Sequence, residues 1–482
     1  MLLLTQLPRQ TKLLAVALVI TIFAGLHFSK SPHGYGRGVQ SSHDPEVDGL
    51  PRDRYSKPDA SGTGSASADD DHNRLPCQSL EGGDDVLVVM RTGSTEIKDK
   101  LPIHFDTTFK CYKHLVIFSD YAETFQGHQV HDVLADVADD IKTTHEDFAH
   151  YQHVLQVGRE NLDPSELSGN VSWESGPVGK NDNAGWRLDK WKFLPMLNAT
   201  FQMYPSMNWY VFVEPDTYLV WSNLLQWLSR LDPSRPHYFG SEVMIGDDIF
   251  AHGGSAIVLS REALRIGADS YRRHTRDLWD FTAENWAGDC VLGRVLRDAG
   301  VDLTWSWPMF QGGNPSLMRW QEDKGDERRL WCSPALSYHH LSPEENLRLF
   351  HFEQDWLRRH QADTTGSESS LAFWHHSSDP ILYHQDTYKE FIRPELGAEK
   401  PEWNNFPEWD RIQTGEVECR DICERNPACL QYAYGPAGCA TGSELRFGQP
   451  QAGVTSGWLM DRVDAWTASI DHCPRQKSWT VS

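Results

Sequence analysis

Two carboxylates flank a proline where an apolar run of the chain ends. In the stretch "NWYVFVEPDTYLVW", Glu214 and Asp216 stand on either side of Pro215, after a run of aromatic and β-branched residues. Such a run predicts a buried strand, and a carboxylate at its end needs a partner because an unpaired buried charge is costly. Oxygen ligands at this spacing suit Mn²⁺ or Mg²⁺, but an aspartate there can also cap the turn into the next helix. The tripeptide alone leaves both explanations open.

Two further groups have both a chemical and an ordinary structural explanation. Asp289 precedes the pattern "CVLGRVLRDAG", where it stands at the N-cap position of a predicted helix. His339 and His340 end a predicted strand in "SYHHLSPEE". A lone histidine at such a place is usually a surface residue, whereas an adjacent pair favours metal ligation somewhat more.

The composition restricts the class of protein. The 482 residues carry 45 Lys and Arg against 68 Asp and Glu, which gives a formal net charge of -23. This balance argues against a nucleic-acid partner, since the phosphate backbone requires a basic face. The chain has neither a GxGxxG motif nor a Walker A loop, so nothing indicates a dinucleotide dehydrogenase or a P-loop enzyme.

The N-terminal part predicts a membrane anchor followed by a stem. Residues 13–28 are mostly apolar, positive charges flank them, and no small-x-small cleavage site follows. We expect an uncleaved transmembrane signal anchor, with residues 1–12 as a cytosolic tail; a cleaved signal peptide is the alternative. Residues 29–82 are rich in Ser, Gly, Asp and Pro and predict a disordered stem. The body would then be luminal, in a single-pass type II protein of the Golgi or another secretory-pathway membrane.

Two features agree with a luminal body. Asn170 and Asn198 each begin a glycosylation sequon, although such sequons also occur by chance. Five of the nine cysteines lie between Cys419 and Cys473. This density is typical of a disulfide-bonded module in an oxidising compartment.

From residue 84 onward the chain alternates between predicted strands and helices. The runs "DDVLVVMRTG", "KHLVIFSD" and "NWYVFVEPD" each pass from apolar residues into a polar tip. This rhythm predicts an α/β fold with a mostly parallel sheet, and ligands bind at the carboxyl ends of such strands. Asp120 and Asp216 would both lie on that rim.

Two local signals add to this picture. Gly253 and Gly254, in "IFAHGGSA", allow the backbone to approach a ligand closely. Ser342, Pro343 and Glu345 form a capping box with proline at the first helical position, which predicts a helix start just after the histidine pair.

In their order along the chain, these motifs resemble glycosyltransferase family 31, the β1,3-glycosyltransferases that include Fringe and the core 1 β1,3-galactosyltransferases. The resemblance spans residues 84 to about 360 and is carried by "LDKWKF", "EPDTY", "YFG", "HGGSAIVLSREAL", "GDCVLGRVL" and "YHHLSPEE". It implies a GT-A fold with a mixed, mostly parallel sheet over residues 83–395. It also implies a UDP-sugar donor, Mn²⁺ or Mg²⁺, and inversion at the anomeric carbon.

The resemblance assigns roles to individual residues. Asp216 matches the last aspartate of the family's DxD motif, which holds the metal. His339 matches the family's metal histidine, or His340 if the alignment slips by one residue. Asp289 matches the second acid of an acidic pair and would be the catalytic base. The positions implied to face the donor are Thr92, Gly93, Asp120, Lys190, Glu214, Asp216, Gly253 and Gly254.

Two positions depart from the family pattern. The usual DDD reads Glu214-Pro215-Asp216, and the first acid of the acidic pair is Gly288. Neither change touches the residue expected to bind the metal or to accept the proton. Both bear on donor choice and turnover.

Residues 400–475 resemble a short PAN/apple module, a type known for binding carbohydrate or protein; a disulfide-stapled cap without a ligand is the alternative. We expect disulfides to form within modules: Cys419 with Cys439, Cys423 with Cys429, and Cys290 with Cys332 in the catalytic domain. Cys77 with Cys111 is a further candidate pair, which leaves Cys473 as the spare.

The residues and the resemblance together predict an inverting β1,3-glycosyltransferase. The first expectation is transfer of galactose from UDP-galactose to a glycan or O-linked GalNAc-type acceptor. One alternative is transfer of N-acetylglucosamine from UDP-GlcNAc. The other is a carbohydrate-binding protein on a decayed transferase fold, for which the two departures from the family pattern are the evidence.

Overall fold

The strands follow the apolar runs that the sequence marks out. They are, in chain order, β1 (Val86–Arg91), β2 (His114–Ser119), β3 (Glu123–Phe125), β4 (His128–Asp132), β5 (Trp209–Val213), β6 (Tyr218–Leu219), β7 (Tyr238–Gly240), β8 (Glu242–Ile245), β9 (Asp248–Ala251), β10 (Ile257–Ser260), β11 (Leu303–Trp305), β12 (Ser337–Tyr338), β13 (Lys400–Asn404), β14 (Gln431–Gly435), β15 (Gly438–Gly442) and β16 (Gln449–Trp458).

Eight strands form the central sheet, in the order β11-β7-β10-β5-β1-β2-β4-β3. The strands β5, β1, β2 and β4 run parallel, and β10 runs antiparallel to both of its neighbours. Every residue of β1 and β5 is buried, as expected for strands covered on both faces. The prediction of an α/β fold with a mixed, mostly parallel sheet is confirmed.

The computed structural model describes residues 74–168, 184–323, 329–364, 380–409, 411–413, 416–473 and 479. These residues lie in one unit, Tyr55–Ser482. The predicted tail and anchor, residues 29–73 of the predicted stem, and the sequon at Asn170 lie outside them. Residues 74–82, which were assigned to the disordered stem, are described: Pro76–Ser79 form a short 3-10 helix, and the disulfide from the buried Cys77 to Cys111 ties this segment to the core. None of the described helices combines the length and the apolar character needed to cross a bilayer. The boundaries proposed for the catalytic domain and the C-terminal module stay predictions.

The helices cover both faces of the sheet. They are α1 (Ile97–Lys100), α2 (Pro102–Asp106), α3 (Asp139–Thr144), α4 (Ala149–Val157), α5 (Ala184–Met203), α6 (Trp221–Leu228), α7 (Arg261–Arg273), α8 (Thr275–Glu284), α9 (Gly288–Asp298), α10 (Pro343–Thr364), α11 (His384–Asp386), α12 (Glu416–Arg425) and α13 (Met460–Ile470). The predicted capping box of α10 is confirmed: the Ser342 amide donates to Glu345 Oε2 at 2.8 Å, and the Glu345 amide donates to Ser342 Oγ at 3.2 Å.

Two apolar clusters lie on opposite faces of the sheet. On one face, α5, α7 and α9 pack together through side chains such as Leu197, Leu264 and Leu296. The other face packs against α6 and the segments after β11, with Trp227 and Trp320 fully buried. Side chains alternate between the two faces along each strand, so both clusters share the same strands.

A short two-stranded sheet brings distant parts of the chain together. Strand β6 pairs antiparallel with β12, with Tyr218 opposite Tyr338. The amide of Leu341 donates to the carbonyl of Asp216 at 3.1 Å. The tripeptide after β5 and the histidine pair after β12 are therefore held side by side.

The C-terminal module is an antiparallel sheet covered by one helix. The order is β13-β16-β14-β15, and α12 packs on β14 and β15. The disulfides Cys419–Cys439 and Cys423–Cys429 form as expected. The structure also contains the candidate pair Cys77–Cys111. The likeness to a PAN/apple module stays a prediction.

The expected Cys290–Cys332 disulfide is wrong. Cys332 pairs with Cys473, which had been expected to be the spare, and Cys290 is a buried free thiol. The physical reason is the sheet itself, because α9, which carries Cys290, packs into one apolar cluster while Cys332 packs against the other. A disulfide cannot join two cysteines whose Cα atoms are more than about 7 Å apart without backbone movement.

The glycan expected on Asn198 is also at odds with the structure. Asn198 lies within α5, is only 8% exposed, and accepts a hydrogen bond from Arg272 Nη1 at 3.0 Å. A glycan is bulky and needs a surface position. The sequon therefore has no room for its modification in this fold.

Replacing Cys473 with serine should lower the free energy of unfolding by about 2–4 kcal/mol, because the disulfide restrains the unfolded chain. The bond closes a loop with a sequence separation of 141 residues. Denaturant unfolding under non-reducing conditions measures the loss. Cys290→Ser, which breaks no disulfide, serves as the control, and an equal loss in both variants would contradict the assignment.

Candidate active site

A cavity of about 590 Å³ opens at the carboxyl ends of β1 and β5. Eight of the residues predicted from the sequence line it: Gly93, Lys190, Glu214, Asp216, Gly254, Asp289, His339 and His340. The remaining predicted residues are buried just behind the lining. Thr92 and Gly253 are next in the chain to the lining residues Gly93 and Gly254, and Asp120 is ion-paired with the lining residue Lys192. The structure therefore brings the predicted residues together at one rim of the sheet, where ligands bind in such folds.

Asp216, His339 and His340 form a group that could hold a metal ion. One ligand atom from each lies within 4.8 Å of the others. Nδ1 of His339 and Nδ1 of His340 are buried without a hydrogen-bond partner, and Nε2 of His339 faces Asp216 Oδ1 at 3.3 Å. Buried polar atoms without partners are rare, and one carboxylate with two imidazoles suits Mn²⁺. The residues present therefore fit a divalent cation, and both histidines take part in the group.

The backbone around this group is fixed by hydrogen bonds. His104 Nε2 donates to the carbonyl of Pro215 at 2.6 Å, because that oxygen can only accept. Burial lowers the pKa of His104 to about 4, so the ring is neutral at physiological pH and its one proton lies on Nε2. His340 has a φ of 58°, so the chain turns sharply directly after β12 and presents both rings to the cavity.

The main partner of Glu214 is Arg91, and Glu214 is not one of the three residues of the candidate metal group. Arg91 pairs with Glu214 through Nη2 and lies 2.8 Å from Asp189 Oδ2 through Nη1. Its guanidinium lies 4.3 Å from the centroid of the Phe193 ring. Burial would raise the pKa of Glu214, but Arg91 outweighs it and lowers the pKa to about 2. Glu214, which is one methylene longer than the aspartate of the family pattern, thus forms an ion pair with Arg91 at the cavity wall.

The carboxylates make this part of the cavity favourable for a cation. Burial alone would lower the pKa of His339, but Asp216 and Glu214 outweigh it and raise the pKa to about 10. His339 Nε2 lies 3.3 Å from Asp216 Oδ1 and 3.5 Å from Glu214 Oε2. Lys100 Nζ, 3.6 Å from Asp216 Oδ2, holds the pKa of Asp216 well below its usual range despite burial.

Two lysines of "LDKWKF", Lys190 and Lys192, line the cavity and make different contacts. Lys190 lines the cavity, but its ammonium lies 2.9 Å from Asp147 Oδ2 and donates to the carbonyl of Asn285 at 2.8 Å. Lys192 instead occupies the rim, where its ammonium lies 3.3 Å from Asp120 Oδ1 and donates to the carbonyl of Thr92 at 2.8 Å. Both lysines are in "LDKWKF", and only their tertiary contacts tell them apart.

Asp120 and Gly93 form a tight cradle behind the cavity wall. Asp120 accepts from the amide of Ser94 at 2.8 Å and from its hydroxyl at 2.7 Å. Burial would raise its pKa, but Lys192 and Ser94 lower it to about 2. A Cβ added at Gly93 would lie 3.0 Å from Lys192 Nζ, so glycine keeps this approach open.

Asp289 lies at the second position of α9, not at its N-cap. Ala287 is the N-cap, and Asp289 Oδ1 accepts from the following amide of Cys290 at 2.9 Å. Its Oδ2 accepts from the amide of Gly253 at 2.9 Å. Burial raises the pKa of Asp289, although His252 opposes the shift. A carboxylate with a raised pKa at a cavity is suited to accept a proton.

Close packing explains the departure at Gly288. A Cβ there would lie 2.3 Å from Phe193 Cδ2 and 2.6 Å from the Cα of Lys190. Helix α9 therefore begins in direct contact with α5, and no acidic side chain fits at this position.

Gly288→Ala should lower the free energy of unfolding by about 1–3 kcal/mol, because the added methyl overpacks the contact with Phe193. In most helices the same change raises the free energy of unfolding by about 0.5–1 kcal/mol. A decrease would therefore indicate the steric conflict with Phe193. Thermal unfolding measures the effect, and Gly313→Ala is the control because nothing lies within 4 Å of its added Cβ. A stabilised Gly288→Ala protein would contradict the packing argument.

Several cavity residues escaped the sequence analysis. Arg91 directly precedes the Thr92-Gly93 turn, which is a signal that could have been used. His252 lies 5.4 Å from His339 between ring centroids and has no hydrogen-bond partner at Nδ1. Lys100, Trp186 and Trp286 also line the cavity, but no sequence pattern indicates it.

None of the known protein-family models matches this chain. The chain is 26% identical over 186 residues to Glycoprotein-N-acetylgalactosamine 3-beta-galactosyltransferase 1 of Xenopus laevis, which covers 34% of this chain and 50% of that protein. It is 32% identical over 115 residues to Beta-1,3-glucosyltransferase of Mus musculus, which covers 23% of this chain and 22% of that protein. The chain thus spans about half of the first relative and about a fifth of the second. It is distantly similar to β1,3-glycosyltransferases, and its central sheet is consistent with a GT-A fold.

Proposed function

We infer that this protein is an inverting β1,3-glycosyltransferase that moves a sugar from a UDP-sugar to a hydroxyl of a glycan or glycoprotein acceptor. The observation that carries this proposal is that Asp216, His339, His340 and Asp289 line one cavity. A cation-binding group and a separate carboxylate that accepts a proton are the minimum that such a transfer needs. The name of the Xenopus relative favours galactose as the sugar and a GalNAc-type acceptor.

The diphosphate of the donor would lie beside the Asp216 group. Asp216, His339 and His340 would hold Mn²⁺ or Mg²⁺, which would offset the negative charge of the departing diphosphate. Arg91 and Lys100 line the same cavity and are ion-paired and buried, so their charges are fixed in place. These cations would bind phosphate oxygens without first having to be ordered.

Asp289 would be the general base. A sugar hydroxyl is a weak nucleophile, and a carboxylate that takes its proton during attack makes it a stronger one. The amides of Gly253 and Cys290 each donate to one oxygen of Asp289 and fix the orientation of the carboxylate. Because the raised pKa belongs to the group that must be deprotonated, the rate should fall as the pH decreases through that pKa.

For the nucleoside end of the donor we assign the turn at Thr92 and Gly93, with Asp120 behind it. Lys192, rather than Lys190, would fix this end through Asp120 and the Thr92 carbonyl. Gly254 would serve the donor indirectly, because the missing side chain leaves room for the His339 ring: a Cβ there would lie 2.0 Å from His339 Cε1. Glu214 would contribute through its ion pair with Arg91.

Three alternative functions remain candidates. The name of the mouse relative adds glucose as a donor sugar, and transfer of N-acetylglucosamine is the third sugar to test. A carbohydrate-binding protein without activity is the candidate from another class. The buried Nδ1 atoms of His339 and His340, which have no hydrogen-bond partner, favour a functioning metal site over a decayed one.

The four disulfides support a location in the secretory pathway for this activity, since such bonds persist in oxidising compartments. We propose a type II membrane protein anchored by residues 13–28, with the catalytic domain in the Golgi lumen. The C-terminal module would bind a carbohydrate or protein ligand.

The test is to incubate the detergent-solubilised full chain with Mn²⁺ and UDP-galactose, UDP-glucose or UDP-GlcNAc, with a chelator in the control. Release of UDP, and transfer to a GalNAc-type acceptor, is measured by mass spectrometry. We expect release with one preferred sugar only when Mn²⁺ is present. No release with any donor, in a protein shown to be folded, would contradict an enzymatic function.

A further inference from the structure

We propose that the exposed face of Trp286, backed by Trp186, is the platform on which a pyranose ring of the acceptor stacks. The choice of an acceptor rests on the proposed function. The chemistry of the ligand, a neutral ring with one apolar face, rests on the two tryptophans alone.

The two tryptophans form a stacked pair at the cavity. Their ring centroids lie 6.4 Å apart with an angle of 28° between the planes, and both residues line the cavity. Trp286 is 48% exposed, which is unusual for such a large apolar side chain. An exposed aromatic face at a concave site offers apolar area with little conformational entropy to lose on binding.

The spacing of the pair decides which face is available. A ring inserted between two aromatic planes needs about 7–8 Å, twice the optimal separation of carbon atoms. The pair is closer than this, so a ligand cannot lie between the rings. Trp186 therefore supports Trp286 from one side, and the ligand takes the other side.

Hydrogen bonds attach the segment that carries Trp286 to helix α5. Lys190, on α5 one turn after Trp186, donates to the carbonyls of Asn285 at 2.8 Å and Ala283 at 3.3 Å. Its ammonium is also paired with Asp147. The segment that carries Trp286 is thus tied to the helix that carries Trp186, and Lys190 is a positioning residue.

The location favours an acceptor over the donor. Trp286 precedes Asp289 by three residues, so the platform belongs to the segment that presents the proposed base. The cations and the histidine pair, which suit a diphosphate, come from β1, α1 and the segment after β12. Met244, in the β8–β9 hairpin, is 69% exposed and lines the same cavity, so further apolar surface is available to the ring or its aglycone.

The experiment measures binding without requiring turnover. The detergent-solubilised full chain is mixed with methyl glycosides of N-acetylgalactosamine, galactose and glucose, and saturation-transfer NMR gives the affinity and the ring protons in contact. The variants are Trp286→Ala and Trp286→Phe. Trp305→Ala is the matched control, because Trp305 is 50% exposed but does not line the cavity. Affinity for Mn²⁺-UDP is measured in parallel.

We expect one glycoside to bind the parent through its ring C–H protons. Its affinity should fall about 3- to 10-fold in Trp286→Ala, stay largely intact in Trp286→Phe, and be unchanged in Trp305→Ala. Affinity for Mn²⁺-UDP should be the same in all proteins. Equal glycoside binding by parent and Trp286→Ala, or no binding by the parent, would overturn the proposal. A loss of UDP affinity in Trp286→Ala would overturn it too, because the platform would then serve the nucleotide.

The outcomes also separate this inference from the proposed function. If the glycoside binds through Trp286 but Mn²⁺-UDP does not bind at all, the transferase proposal fails and the carbohydrate site stands. If Mn²⁺-UDP binds and binding of the glycoside does not depend on Trp286, the inference about the platform fails and the transferase proposal stands.

Discussion

Transfer should fall by about 10²- to 10⁴-fold when Asp289 is replaced by asparagine, while Mn²⁺-dependent binding of UDP stays near the parent level. Asparagine keeps the size of the side chain but cannot accept the acceptor's proton. The pH profile provides a second readout. The parent should lose activity as the pH decreases through the raised pKa of Asp289, and the residual activity of the variant should lack this acidic limb.

The variant needs a stability control, because Asp289 accepts two backbone amides, from Gly253 and Cys290. Asparagine offers one oxygen, so one amide loses its acceptor at a cost of about 1–3 kcal/mol. Thermal unfolding must therefore show a folded protein at the assay temperature. Asp298→Asn, near the other end of the same helix, serves as the matched control. A variant at position 289 that turns over at the parent rate would mean that Asp289 only positions the backbone.

Asp216→Asn should abolish the dependence of UDP binding on Mn²⁺ and weaken binding in the presence of the metal by at least about 10- to 100-fold. That range is typical even when only a partner of a metal ligand is lost. The change removes the one carboxylate of the group, and the two imidazoles alone are a poorer site for a hard cation. Calorimetry with UDP, with and without Mn²⁺, measures both quantities.

Glu214→Gln distinguishes the two acids of the tripeptide. Glu214 pairs with Arg91 and is not part of the ligand group, so this variant should keep the metal dependence. Unchanged affinity for Mn²⁺-UDP in Asp216→Asn would reject Asp216 as a ligand. Loss in Glu214→Gln alone would move the metal site to the other acid.

The parts of the fold that are determined by residues close together in the sequence could be predicted from the sequence. The buried strand over Trp209–Val213 and the helix over Gly288–Asp298 follow from their apolar periodicity. The capping box of Ser342 and Glu345 is a local pattern with a fixed spacing. Parallel packing of strands then brings their polar tips to one rim, which is why the cavity residues could be expected near each other.

The features that could not be predicted depend on contacts between parts of the chain that are distant in sequence. Nothing near Cys290 in the sequence shows that the sheet separates it from Cys332. Lys190 and Lys192 differ by two positions, and only the placement of α5 against Asp147 and Asp120 decides which ammonium faces the rim. The sequence shows only that an acid is absent at Gly288, whereas the structure shows that Phe193 fills the space a side chain would need there. Asn198 begins a sequon, but only the structure shows that its side chain is buried and bonded to Arg272 of α7.

The Cys332–Cys473 bond has a consequence for biosynthesis on the ribosome. At about 5–20 residues per second, Cys332 waits roughly 7–28 s for its partner, which is 141 residues away. During that time Cys419–Cys439 and Cys423–Cys429, with sequence separations of 20 and 6, can close locally and remove four competing thiols. Cys290 is withdrawn into the core of the sheet when its helix packs. When Cys473 has been synthesised, Cys332 is the remaining accessible thiol, so the timing of translation selects the correct long-range pair. Pulse labelling with thiol alkylation should show this bond to be the last to form.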